Sequence, residues 1–170
     1  MGVLSMLSIG DRVVYPMHGA GIIEGIEEQE VMGEKQSYYV LKIPFGNMRV
    51  LVPLNKAQEV GLRGIIDADG ITVIERVLGD APELSEGGSW NRRFNANMAK
   101  LKSGDIIAVA EVVRNLSLQD RVKKISSGER RLLDTAKHIL TSELALAAQR
   151  ELPEMEKWLQ ERLTQNKAVS

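Results

Sequence analysis

The chain has 170 residues, 44% hydrophobic and 26% charged, with a net charge of −1 and no cysteine. That composition describes an ordinary soluble globular protein and excludes disulfides, thiolate metal sites and a cysteine nucleophile. His18 and His138 are the two histidines, far apart and outside any metal-ligand motif, so a metallohydrolase would have to be built almost entirely from carboxylates.

Over the first sixty residues the spacing predicts β-structure. Arg12–Tyr15 reads as a short strand stopped by Pro16, and Gly19-Ala20-Gly21 leads into a second run, Ile22–Ile26. A tip follows near Met32-Gly33-Glu34. Tyr39, Leu41, Ile43 and Phe45 then alternate with other residues, Gly46-Asn47 makes a two-residue hairpin signal, and Met48, Val50 and Val52 alternate on the return to Pro53. Four or five short antiparallel strands without intervening helix suggest a small barrel of the Tudor or SH3 type.

From about Asp69 the apolar period becomes helical. Ile71, Ile74, Val77 and Leu78 share a face, Gly79-Asp80-Ala81-Pro82 ends it, and a linker runs up to Gly87-Gly88. A second helix is expected from Ser89 to Leu101, stopped at Ser103-Gly104. A third begins at Asp105 and presents Ile106, Val109, Ala110, Val113 and Leu116. A fourth opens with Ser126 and Glu129 at capping-box spacing and buries Leu132, Leu133, Ala136, Ile139, Leu140 and Leu144. After Pro153, Met155, Trp158, Leu159 and Leu163 form a fifth, with Trp158 as a packing residue. The fold class is therefore α+β, an antiparallel barrel over 1–65 followed by an all-α bundle over 66–170.

Splitting the charge by position changes its meaning. Residues 1–90 hold seven basic and thirteen acidic side chains, net −6, whereas 91–137 hold eleven basic and five acidic, net +6. A local basic field attracts phosphate whatever the total, although a solvated helical surface gives the same pattern. No phosphate loop, dinucleotide turn, nucleophile elbow or His–Ser–acid arrangement occurs, so an enzyme is a poor reading. The glycines of His18–Gly21 lie between strands and read as a barrel turn, and Glu27, Glu28 and Glu30 read as solvated hairpin charge. No apolar run reaches the length of a membrane span, and the N-terminus lacks the features of a signal peptide or a myristoylation site.

The stretch Ser89-Trp90-Asn91-Arg92-Arg93-Phe94 carries the most information. A tryptophan at the first turn of a helix, directly before two arginines, has the make-up of a nucleic-acid contact: guanidinium groups and helix N–H donors for phosphate, an indole to stack or wedge. The same indole could instead pack into the helical core against Phe94, one turn on.

Together with Ile9–Gly21, Tyr39–Lys42, Val52-Pro53, Leu101–Asp105, Ala110–Arg114, Ser127–Arg130 and Ile139–Ala145, this stretch resembles the bacterial CarD/CdnL transcription regulators over roughly Leu7–Ala148. The resemblance implies a Tudor-like domain that binds the RNA polymerase β subunit and a helical domain that contacts promoter DNA at the upstream edge of the transcription bubble. By that resemblance Trp90 wedges into the minor groove and stabilises the open promoter complex. Asn91, Arg92, Arg93, Lys123, Lys124, Arg130 and Arg131 lie along the DNA. Gln29, Val31, Arg49 and Leu51 lie on the polymerase-facing strands, where relatives often carry arginines and this chain has Gln29 and Leu51. The implied protein is a non-catalytic, cofactor-free monomer with little DNA sequence preference, cytoplasmic and held on the nucleoid through polymerase. Two other classes remain beside it: an RNA- or ribosome-associated protein with a KOW-like barrel, and a protein–protein adaptor.

Overall fold

The computed structural model describes residues 7–83 and 89–168. The N-terminal MGVLSM, residues 84–88 of the linker and residues 169–170 lie outside the described residues.

Five antiparallel strands, β1 (Arg12–Tyr15), β2 (Gly19–Val31), β3 (Glu34–Ile43), β4 (Met48–Pro53) and β5 (Arg63–Gly64), form one sheet in the order β4-β3-β2-β1-β5. The outer strands β4 and β5 are not hydrogen-bonded to each other, so the barrel-like module is an open sheet. Its inner face buries Val13, Ile23, Tyr39, Leu41, Ile43 and Val52, the alternation expected of strands with one face on a core.

Three local readings need correction. Gly19-Ala20-Gly21 is already strand, paired to Val13–Tyr15, and the turn is Pro16-Met17-His18. The loop between β3 and β4 is longer than two residues: Ile43 pairs with Met48, and Pro44–Asn47 connect them, with Gly46 and Asn47 both left-handed (φ 76° and 50°). Proline has no N–H for a ladder bond, which moves the last pair back to Ile43. Finally, β2 continues to Val31, and beyond Tyr38 the β2–β3 hairpin stands free of β4, as a two-stranded arm.

Helices α1 (Ala68–Gly79), α2 (Trp90–Lys102), α3 (Ile106–Val122), α4 (Ser127–Ala148) and α5 (Leu152–Gln165) follow. Side-chain caps start four of them: Asp67, Ser89 and Asp105 accept from a backbone N–H in the first turn, and Ser126 with Glu129 forms the reciprocal capping box. The apolar faces read from the sequence for α3 and α4 are buried together with Ile74, Leu78, Leu101, Met155, Leu159 and Leu163 in one core. Trp158 packs against that core, its ring under the Arg162 guanidinium at 5.1 Å.

Sheet and bundle meet along α4. Gly19 has φ +100°, and a Cβ there would stand 2.8 Å from Ser142 Oγ, so a glycine lets β2 and α4 approach closely. Ala20 N–H donates to Ser142 Oγ (3.0 Å) and Arg12 Nη1 to Leu146 O (3.0 Å). Arg63 forms a bidentate pair with the fully buried Glu143 carboxylate (2.8 and 2.8 Å), whose Oε2 also accepts from Ile66 N–H (2.9 Å). The same guanidinium donates through Nε to Gly104 O (2.7 Å), tying β5 to α4 and to the α2–α3 turn.

Candidate nucleic-acid interface

Trp90 is the first residue of α2. Ser89 Oγ accepts from Arg92 N–H (3.2 Å) and fixes where the helix begins, so the indole is placed at a helix N-terminus. Its ring stacks on Phe94 (centroids 5.0 Å apart, planes 16° from parallel), while Phe94 packs against the helical core. The indole Nε1–H donates to Ser126 Oγ (3.1 Å), the N-cap of α4, and Gly128 lies beneath the two rings. The N-termini of α2 and α4 therefore meet at Trp90. The ring thus stacks on Phe94, as the packing reading expects, and stays 42% exposed.

The neighbouring cations divide into two sets. Arg92, Lys102, Lys123, Lys124 and Arg131 are exposed, as is Asn91. Others are committed within the fold. Arg114 is buried and donates to Val77 O and Asn115, Arg121 donates to the Leu163 and Asn166 carbonyls at the end of α5, and Lys100 lies between Glu83 and Glu111. Arg130 is paired to Asp120 (2.7 Å). Arg93 is half-buried and lines a cavity of about 250 Å³ with Asn97, Asn115 and Gln119, on the α3 side of α2. Among the residues expected on DNA, Trp90, Lys123, Lys124, Arg92, Asn91 and Arg131 thus present exposed surface, and Arg93 and Arg130 present less.

Asp120 holds the α3–α4 connection that bears Lys123 and Lys124. Its Oδ1 accepts from Ile125 N–H (3.1 Å) and its Oδ2 from Arg130. The Ile125 hydrogen bond is the largest influence and burial, next in size, opposes it; the hydrogen bond and charge of Arg130 and the charge of Lys124 add to the lowering, and the carboxyl is held below the ordinary carboxylate range.

The expected polymerase-facing residues are spread over the sheet. Arg49 and Leu51 lie on the outer strand β4, opposite Lys42 and Val40, while Gln29 and Val31 lie on the free arm, opposite Gln36 and Glu34. The four share one face of the sheet, their partners on β3 being Lys42, Val40, Gln36 and Glu34, and at about 3.3 Å per residue the Gln29 level is roughly 13 Å further along the strands than Leu51. Arg49 is paired to Glu27 (2.7 Å) and Glu24 (3.7 Å), and the Glu27 contact raises its pKa above the ordinary guanidinium value. The arm ends in Val31 and Met32, the latter 98% exposed.

Family comparison joins these two halves. The CarD-like/TRCF RID domain family matches residues 7–66 and the CarD C-terminal domain family matches residues 73–160. The candidate transcription factor YdeB of Bacillus subtilis (strain 168) is 40% identical over 141 residues, covering 82% of this chain and 90% of that protein. The chain belongs to the CarD family. Membership associates it with transcription. Two solved N-terminal domains from Myxococcus xanthus are similar in part: that of CdnL is 45% identical and covers 39% of this chain and 93% of its own (TM-score 0.32). The 72-residue N-terminal domain of CarD is 34% identical and covers 35% and 79% (TM-score 0.30).

Sequence reasoning on this CarD-family chain missed Arg63 and Glu143, and it saw Ser126 only as a cap. Glu143 had a signal, a carboxylate at helical spacing among Leu140, Leu144 and Ile139, where a charge survives only with a partner. Nothing local pointed to Trp90 as a second donor to Ser126. Among the described residues no cluster of three or more histidine or acidic side chains could hold a metal ion, and no helix is long and apolar enough to cross a membrane.

Proposed function

We propose that this CarD-family chain is a non-catalytic transcription regulator. It anchors to the RNA polymerase β subunit through the sheet module and touches promoter DNA at the upstream edge of the bubble through the helical module. The observation that carries the reading is the half-exposed indole of Trp90, set where two helix N-termini meet, with Arg92, Lys123, Lys124 and Arg131 exposed on the same three elements, α2, the α3–α4 connection and α4. Helix N-termini and cations attract phosphate, and an aromatic wedge costs least where base pairs are already parting. Trp90 therefore favours the melting junction over intact duplex and stabilises the open complex.

Two weak contacts suffice when one chain carries both. Binding to polymerase raises the local concentration of the DNA-contacting surface to about the millimolar range, so little sequence preference is needed. A gain of about 1.4 kcal/mol in the open complex multiplies its equilibrium constant tenfold, within reach of one stacked or wedged aromatic. The test is the lifetime of promoter open complexes formed by polymerase with the wild-type chain or with Trp90→Ala. The wild-type chain lengthens it and the variant does not; equal lengthening by both would rule out the wedge.

A further inference from the structure

The hydrogen bonds around Ser126 have only one consistent direction. Glu129 Oε1 accepts from both Ser126 N–H (3.3 Å) and the Ser126 hydroxyl (3.1 Å), and a carboxylate has no proton to return. The hydroxyl proton is therefore spent on Glu129, which turns both lone pairs of Oγ outward as acceptors. One takes Glu129 N–H (3.2 Å), completing the cap of α4, and the other takes the Trp90 indole N–H (3.1 Å). Gly128 supplies the floor: a Cβ there would lie 3.4 Å from Trp90 Cζ2 and 3.7 Å from Phe94 Cε2. Phe94, one turn along α2, stacks on the indole, so that the edges of both rings lie over Gly128.

We propose that Ser126 is a positioning residue for the wedge, its hydroxyl fixing the rotation of the Trp90 indole over Gly128 before DNA is met. The inference rests on the function proposed above and adds the group that orients Trp90. A side chain ordered in advance does not lose that freedom on binding, so the wedge enters the junction at lower cost than a freely rotating ring. The glycine at 128 belongs to the same device, because it lies in the first turn of α4 and a Cβ there would meet the indole edge at 3.4 Å.

The test uses the full chain with polymerase and follows open-complex lifetime. Ser126→Ala should shorten the lifetime about three- to tenfold, the range of one net hydrogen bond, and Ser126→Thr, which keeps the hydroxyl and the cap, should restore it. Trp90→Phe keeps a ring and removes the N–H, so adding Ser126→Ala to it should change the lifetime little further. Loss of the helix cap alone would lower the melting temperature equally in both backgrounds and cannot imitate that dependence on Trp90. The Trp90 indole proton should exchange slowly with solvent in the wild type and fast in Ser126→Ala, with Trp158 as internal reference. Equal shortening by Ser126→Ala in both backgrounds, or a fast-exchanging indole proton in the wild type, would overturn the role of Ser126 alone. An unchanged lifetime with Trp90→Ala would remove the wedge and this inference together.

Discussion

At the scale of single residues the chain departs from local preference in instructive places. Met32 and Gly33 make the two-residue turn between Val31 and Glu34, both with positive φ (52° and 82°). Such turns favour asparagine followed by glycine, and an ordinary side chain in the left-handed region costs about 1 kcal/mol. Met32 is also almost fully exposed, so it gains no burial in return. Met32→Asn should therefore stabilise the chain by about 0.5–1 kcal/mol, seen as a higher urea midpoint at unchanged slope. Trp90 shows how far single residues were legible. An aromatic placed before two arginines at a helix start marks itself in the sequence, and so does the Ser126–Glu129 cap. The hydrogen bond that joins the indole to that cap spans 36 positions. Local spacing carries no information about such a contact, and the division of Arg92 from Arg93 by exposure depends equally on how α2 settles against α3.

At the scale of elements the helices were far more legible than the strands. Each helix has a period of apolar residues, and four have a side-chain cap, whereas β5 is two residues long and is defined only by its partner β1. The long β2 was obscured because its outer half has no core to alternate against. The same view singles out the α3–α4 connection, where Asp120 holds the segment carrying Lys123 and Lys124. Its carboxyl is depressed in the folded chain, so the stability it contributes is fully present above the unfolded aspartate value of about 3.9 and is lost as pH falls through the lower folded value. Asp120→Asn should cost about 1 kcal/mol at pH 7, and in denaturant titrations the difference between the two proteins should begin to shrink below about pH 4 and vanish below the folded value. The variant should also loosen the register of Lys123 and Lys124. On the proposed function, salt titration of DNA binding by the full chain tests the contact: if Lys124 meets a phosphate, Lys124→Ala should lower the slope of log affinity against log salt by about one.

At the scale of the whole molecule a sheet module of net charge −1 (residues 1–65) is joined to a helical module of net charge 0, within which residues 91–137 alone carry +6, and a charge pair lies at the join. Glu143 is fully buried, and its carboxylate accepts three hydrogen bonds, two from Arg63 and one from Ile66 N–H. Arg63 in turn donates to Gly104 O, and Pro16 lies close to Gly104, so β5, α4, the α2–α3 turn and the β1–β2 turn converge there. Removing one member of such a pair strands a buried charge and costs about 3–5 kcal/mol, whereas replacing both by apolar residues of similar size is often close to neutral. Arg63→Met and Glu143→Leu should each destabilise the chain strongly, with Arg63→Met the cleaner single variant because it leaves Glu143 buried without its cation. The double variant should lose less than the sum of the two. Urea unfolding of the four proteins measures this coupling, and strictly additive losses would mean that the pair is not formed in solution. The same curves report on what the pair is for. If it locks the modules into one cooperative unit, Arg63→Met should split the single transition in two, because the sheet and the bundle each have a core of their own. On the function proposed above, a sheet module anchored to polymerase that no longer fixes the direction of the helical module would then deliver Trp90 less often to the junction. The open-complex lifetime should accordingly fall for Arg63→Met even in dilute buffer, where both modules remain folded.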